Sequence, residues 1–170
     1  MNMEKDLKVN IKKLIEGAVI PSYAKNGDAG MDLTAVSKSY DEQGNIVYGT
    51  GLAFEIPDGY VGLVFPRSSL SKKDLALTNH VGVIDSGYRG EVSFKFKPTL
   101  RKSCWSNVVY AGHEVDEYYV GDRIGQIIIM PYPKVQFNVV DILSDTERGS
   151  DGFGSTGNGL FKDDLGGDDE

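Results

Sequence analysis

Gly82-Val83-Ile84-Asp85-Ser86-Gly87-Tyr88-Arg89-Gly90-Glu91 runs directly into Val92-Ser93-Phe94-Lys95-Phe96-Lys97. Val92, Phe94 and Phe96 alternate with Ser93, Lys95 and Lys97, the period of a strand buried on one face. Val81 to Ile84 is an apolar run, and Gly87 bends the chain between the two. The whole reads as a hairpin with Asp85 held at a strand end beside the turn. Gly82, Gly87 and Gly90 let the backbone approach a ligand closely or take positive φ. A carboxylate so placed suits a general base. It equally suits an ordinary hairpin with a solvated Asp and a surface Tyr88, and this stretch alone leaves both open.

Other short apolar runs extend the pattern. Leu7, Val9 and Ile11 alternate with polar residues, as do Met31 and Leu33. One or two strands are predicted over Ile46 to Ile56, ended by Pro57-Asp58-Gly59, and another over Tyr60 to Phe65, stopped by Pro66. Ile127-Ile128-Ile129-Met130 is apolar without alternation, so both its faces should be covered, and another subunit is one candidate for the second cover. Val135, Phe137 and Val139 predict a last strand. The one helix predicted in the first half spans Arg67 to Asp74, capped by Ser68 or Ser69, with Leu70 inward. Many short strands and 21 glycines in 170 residues indicate a single all-β domain. The β domain is expected over 1–145, a flexible Gly-rich arm over 146–157, and an acidic, disordered tail over 158–170.

A net charge of −7 argues against general nucleic-acid binding, which wants a basic face. The single cysteine, Cys104, allows no internal disulfide and fits a reducing, cytoplasmic compartment, or the host-cell cytoplasm for a viral or phage protein. His80 and His113 make no zinc pattern, so a metal would be a hard cation on oxygen. No signal peptide or membrane span is expected.

Further stretches carry chemistry of their own. Arg67-Ser68-Ser69 offers a guanidinium and two hydroxyls where a strand gives way to a helix, an anion site or a plain cap. Arg148, Ser155 and Thr156 repeat that donor set among glycines, although no Walker A loop is present. Phe153 has no obvious core to join there and suits a lid over a planar ligand. Asp32 is either a solvent-facing strand residue or a carboxylate that holds a hydrated Mg²⁺. Gln126 starts a buried run and must find a partner, structural or phosphate. Tyr88 offers a flat face for a sugar. Together these parts read as a nucleotide triphosphate site assembled from separate stretches.

Five segments in order carry a resemblance: Ala29-Gly-Met-Asp-Leu-Thr-Ala35, Pro66-Arg-Ser-Ser-Leu70, Gly82 to Glu91, Gly121-Asp-Arg-Ile-Gly-Gln126, and Arg148 to Gly157. The chain resembles the homotrimeric dUTP pyrophosphatases (dUTPases) over residues 29–157. The resemblance implies a distorted jelly-roll β-barrel, a homotrimer with sites at subunit interfaces, and hydrolysis of dUTP to dUMP and pyrophosphate with Mg²⁺. It assigns Asp85 to activating the attacking water and Asp32 to the metal's water shell. Arg67, Ser68 and Ser69 would bind the α- and β-phosphates, supported by Gln126. Asn79 and the backbone to Ile84 would read uracil, and Tyr88 would pack under the deoxyribose. In the arm, Arg148, Ser155 and Thr156 would grip the γ-phosphate, while Phe153, beside Gly154, would stack over the base.

The chain departs from the family pattern in places. Gly125 stands where the family usually has Ala, which reads as a small change. The segment 98–120 is long and is a candidate surface for a regulatory protein partner, and the chain continues past Gly157 to Glu170. Two rivals remain at this point. A dCTP deaminase shares fold and motifs but wants a glutamate where Lys95 stands. A regulatory protein on a dUTPase scaffold would keep the fold for binding.

Overall fold

A computed structural model of the chain describes residues 6–99 and 115–150. The strands are β1 (Asn10–Lys13), β2 (Met31–Thr34), β3 (Ser37–Tyr40), β4 (Ile46–Gly49), β5 (Leu52–Glu55), β6 (Tyr60–Pro66), β7 (Leu75–Leu77), β8 (Gly82–Ile84), β9 (Ser93–Pro98) and β10 (Arg123–Pro131). One antiparallel sheet runs β2-β10-β6-β8, a second β3-β4-β9-β7, and β1 pairs with β5. This is the all-β, distorted jelly-roll barrel that the sequence led us to expect. Among the described residues no helix is long and apolar enough to cross a membrane.

The core sits between the sheets because each strand turns its apolar phase inward. Val92, Phe94 and Phe96 are fully buried, as the alternation predicts, and meet Ile46, Tyr48, Leu33, Ile124 and Ile127. Each such side chain contributes about 1.5–3 kcal/mol by leaving water. Tyr48 lies edge-on to Phe96 and Tyr118, and its hydroxyl donates to the Tyr118 carbonyl at 2.8 Å. Burial pushes that hydroxyl's pKa up to about 12.

A 3-10 helix covers Ser68–Lys72. Its N-cap is Arg67 and makes no side-chain cap bond, so neither Ser68 nor Ser69 caps it. Five residues close only a turn or so, leaving the hydroxyls available for other partners. Leu70 is half-buried against the core, as expected.

Of the 98–120 segment, Pro98 ends β9 and Tyr118 is buried in the core, so only the stretch between Thr99 and Asp116 leaves the body, and both its ends meet Asp74. The Thr99 N–H donates to the Asp74 carbonyl at 2.7 Å. Asp116 and Asp74 exchange two bonds, from the Asp74 N–H to the Asp116 carbonyl at 2.9 Å and from the Asp116 N–H to Asp74 Oδ2 at 3.1 Å. The excursion between them, with Cys104, lies outside the described residues.

The chain divides into a body, residues 1–134, and a second unit, 135–170. In the second unit Val135, Phe137 and Val139 form no strand, contrary to their alternation, and Phe137 and Val139 are over nine-tenths exposed. Alternation marks a face that can be buried, but a strand also needs a hydrogen-bonded neighbour. Among the described residues no strand lies beyond Pro131.

Gly125 is no minor departure. A Cβ there would strike the Phe94 ring, and the Phe65 carbonyl lies 3.0 Å from the same point. The ring of one sheet occupies the space that a methyl on the other would need. Gly125→Ala should therefore destabilise the fold by about 1–3 kcal/mol. Adding Phe94→Leu should recover part of the loss, which thermal melting of the two variants checks.

Candidate active site

Two pockets are built from different strands, the first between β8 and the β9 and β7 edge of the other sheet, the second on β2 and β10. The first, about 460 Å³, is lined by Asn79, Gly82, Ile84, Asp85, Tyr88 and Glu91, among others. Asp85 follows β8 directly and is exposed. The Tyr88 N–H donates to the Asp85 carbonyl at 3.0 Å and closes the turn. Arg89 braces it: Nη1 donates to the Ser86 carbonyl at 2.6 Å and the Tyr88 carbonyl at 2.9 Å. The Tyr88 hydroxyl donates back to the Glu91 carbonyl at 3.1 Å, over Gly90, where any Cβ would meet the phenol. So Gly90 is needed for a close approach, and the ring is held beside the pocket mouth.

Asn79 is placed by a tight three-residue turn. The Val81 N–H donates to the Asn79 carbonyl at 2.6 Å, with His80 between them at φ 59°. That left-handed backbone costs a non-glycine residue energy, and such strain gathers at ligand sites. Gly82 packs directly on Val64, leaving no room for a Cβ.

The second pocket, about 410 Å³, is lined by Gly30, Asp32, Arg67, Ser68, Arg123 and Gln126, among others. Asp32 sits on β2 opposite Gln126 of β10. Arg67 Nε donates to Asp32 Oδ1 at 2.8 Å, and Arg123 Nη1 to Asp32 Oδ2 at 3.0 Å. Arg67 Nη1 also donates to Ser69 Oγ at 3.4 Å. Gln126 Nε2 donates to the Pro66 carbonyl at 3.2 Å, so its partner is structural. Its Oε1 lies 2.5 Å from where a Gly30 Cβ would stand, so only glycine there leaves the amide its seat.

The two pockets stay apart within one chain. Ile84 pairs with Gly62 of β6, whereas Gln126 pairs with Phe65. Asp85 therefore lies about four residues, roughly 13 Å, along β6 from Gln126, and β8 is three strand spacings, about 14 Å, from β2. One chain does not bring Asp85 to the anion site of its own Arg67.

Sequence reasoning placed Asp32, Arg67, Ser68, Ser69, Gln126, Asn79, Ile84, Tyr88 and Asp85 in the site, and the structure gathers them into these two groups. It missed Arg123 and Arg89. Arg123 stood inside a quoted segment, but its direction depends on strand phase, which the segment alone does not reveal. Arg148 is exposed near a turn in the second unit, where the Gly149 N–H donates to the Thr146 carbonyl at 3.1 Å. Phe153, Gly154, Ser155 and Thr156 lie outside the described residues.

Comparison with known proteins bears on these pockets. The family model for dUTPase matches residues 16–104 and 106–157. The chain belongs to the dUTPase family. A relative from Tropheryma whipplei (strain Twist), a deoxyuridine 5'-triphosphate nucleotidohydrolase, is 39% identical over 154 residues, covering 88% of this chain and 96% of the relative. The solved Staphylococcus bacteriophage 80alpha dUTPase with dUPNHPP is 29% identical with a TM-score of 0.69, covering 89% of this chain and 99% of that one. That work describes phage dUTPases as controlling transfer of virulence genes. A variant dUTPase from phage phi11 of S. aureus, described for its coordination of a structural Mg(II) ion, is 25% identical with a TM-score of 0.64, covering 82% and 100%. Lys95, in place of a deaminase's glutamate, is held by Asp41 at 2.9 Å. Bonds from Asn45 first, then Lys95, hold the Asp41 carboxyl well below the usual range.

The donor set limits how this dUTPase-family enzyme can hold Mg²⁺. Among the described residues no three acidic, His or Cys side chains gather as a metal cage. Asp32 has both oxygens engaged by guanidinia and Asp28 accepts the Lys25 N–H, so the pocket fits an ion that arrives on substrate phosphates and keeps its water shell. Calorimetric titration of Mg²⁺ into the nucleotide-free protein should thus give no tight binding. The same titration with a non-hydrolysable dUTP analogue present should give it.

Proposed function

We propose that the protein hydrolyses dUTP to dUMP and pyrophosphate, at sites each completed by more than one chain of a homotrimer. The observation that carries this is the pairing of pockets: a carboxylate at the mouth of a nucleoside-sized hollow, and a separate cluster of guanidinium, hydroxyl and amide groups. Uracil would sit against Asn79 and the backbone leading to Ile84. Tyr88 would pack under the deoxyribose and leave no room for a 2′-hydroxyl. Asp85 would take a proton from water as the water oxygen attacks the α-phosphorus in line. The bond from that phosphorus to the bridging oxygen then breaks, and the electron pair leaves on pyrophosphate.

Arg67, Ser68 and Ser69 of a neighbouring chain would hold the α- and β-phosphates, with Gln126 fixing the strand end beneath them. Asp32 would hold, through water, a Mg²⁺ carried on the triphosphate, and that ion would supply charge neutralisation on the phosphoryl oxygens. Arg148, Ser155 and Thr156 would take the γ-phosphate, and Phe153, with Gly154 beside it, would cover the base. The enzyme would lower dUTP and supply dUMP for thymidylate synthesis.

Incubation with dUTP, dCTP, dTTP and UTP plus Mg²⁺ tests the reading. Only dUTP should be consumed at a substantial rate, to dUMP and pyrophosphate. Ammonia from dCTP with dUTP left intact would sink it. Asp85→Asn should bind dUTP normally and lose about 10²–10⁴-fold in kcat; near-normal turnover would remove Asp85 from the base role. Truncation after Glu147 should sharply lower activity and spare the trimer, as size-exclusion light scattering would show.

A regulatory role beside turnover is favoured by one observation. Within 98–120, the excursion from Thr99 to Asp116 closes on Asp74 at both ends, so the residues between can vary without moving the site strands. Replacing 100–114 by a short Gly/Ser link should leave dUTP turnover unchanged. A large loss would make the segment part of the enzyme rather than a partner surface.

A further inference from the structure

We propose that Arg123 is a further substrate-binding residue, a second guanidinium for the triphosphate, and that Asp32 is the counter-ion it shares with Arg67 until the nucleotide arrives. The inference deepens the dUTP reading and rests on it for the identity of the anion.

Strand phase supplies the first argument. Along β10, Ile127 and Gly125 face the core, so strict alternation would send Arg123 inward as well. It does not go there. Arg123 pairs with Thr34, yet Gly125 pairs with Leu33, so one extra residue, Ile124, is inserted opposite β2. Ile124 and Gly125 are consequently both buried in succession, and Arg123 is exposed. This bulge reverses the phase and brings Arg123 to the face that carries Gln126. Bulges are used in this way to re-aim a side chain beside a site.

Charge points the same way. The pocket holds two guanidinia and two carboxylates. Asp28 Oδ2 accepts the Lys25 N–H at 2.8 Å, a local turn bond. Asp32 alone serves both arginines, one oxygen to each. Asp32 is the one side-chain hydrogen-bond partner of the Arg123 guanidinium among the described residues, and the Arg123 side chain is 56% exposed. An Arg kept only to stabilise the fold has little reason to stand so open, because exposed pairs contribute little. Two forked cations around one carboxylate form a receptor for a polyanion with several phosphates.

The test is binding in metal-free buffer with EDTA, using the full-length protein. The probes are inorganic tripolyphosphate, the non-hydrolysable analogue dUpNHpp, and dUMP. Arg123→Ala should weaken tripolyphosphate and dUpNHpp about tenfold or more and change dUMP little. Arg123→Lys should recover part of the loss. Asp32→Asn keeps the side chain's shape and removes the competing charge, so without metal it should bind tripolyphosphate more tightly than the parent. Unchanged triphosphate binding in Arg123→Ala would overturn the inference. So would equal weakening of dUMP and dUpNHpp, which marks a merely structural role, or weaker tripolyphosphate binding in Asp32→Asn. The tripolyphosphate arm does not depend on the base. If it behaves as predicted while dUTP is not hydrolysed, the inference stands and the dUTP reading falls. If dUTP is hydrolysed but the variants bind as the parent does, the inference alone falls.

Discussion

The pairing of β10 on both sides is the constraint on which the rest of the molecule depends. β2 flanks it through Asp32 and Gln126, and β6 flanks it from Pro66 to Tyr60. Its inner face supplies Ile124 and Ile127 to the core, and Gly125 lets Phe94 of the other sheet close down on it. Its outer face presents Gln126 and, by one bulge, Arg123. Core packing and anion chemistry are therefore set by a single strand read in two phases. A slip of one residue would bury Gln126 and expose Ile127.

The same register separates the two halves of the site. β8 ends where Asp85 begins, at the Gly62 level of β6, while the guanidinium cluster gathers around the Phe65 end. Antiparallel pairing fixes that separation, because the ladder bonds hold each strand in its register. The proposed site, joining Asp85 to Arg67 on one phosphorus, therefore needs more than one chain. In the non-alternating run after Gln126, Ile128 and Ile129 are half-buried in one chain and Met130 is exposed, so the chain by itself does not cover both faces of the run as expected.

Much of this was legible in the sequence, for identifiable reasons. Val92, Phe94 and Phe96 alternate on a strand paired on both sides, where period two maps directly onto burial. Asp85 and Tyr88 were legible because the surrounding glycines mark a turn. The Val135 to Val139 alternation misled, since it records a wish for cover and not a neighbour to pair with. The Ser68 or Ser69 cap failed because a five-residue 3-10 turn does not present N–H groups as a long helix does. Gly125 looked interchangeable with Ala until Phe94 was seen against it. Arg123 could not be aimed from sequence, because a bulge is known only from the register of two strands. The Gly-rich arm was read from its motif, and its part from residue 151 on, with Phe153, Ser155 and Thr156, lies outside the described residues.

The central claim is that Asp85 and Arg67 act on one substrate from different chains. Complementation tests it most directly. Asp85→Asn and Arg67→Ala proteins, each inactive on dUTP alone, are co-assembled from differently tagged subunits, and the mixed oligomers are isolated and assayed. The account predicts that the mixed oligomers regain dUTP hydrolysis far above either parent, because one interface joins an intact Asp85 to an intact Arg67. Mixed oligomers no more active than the parents would contradict it and return both halves of the site to a single chain.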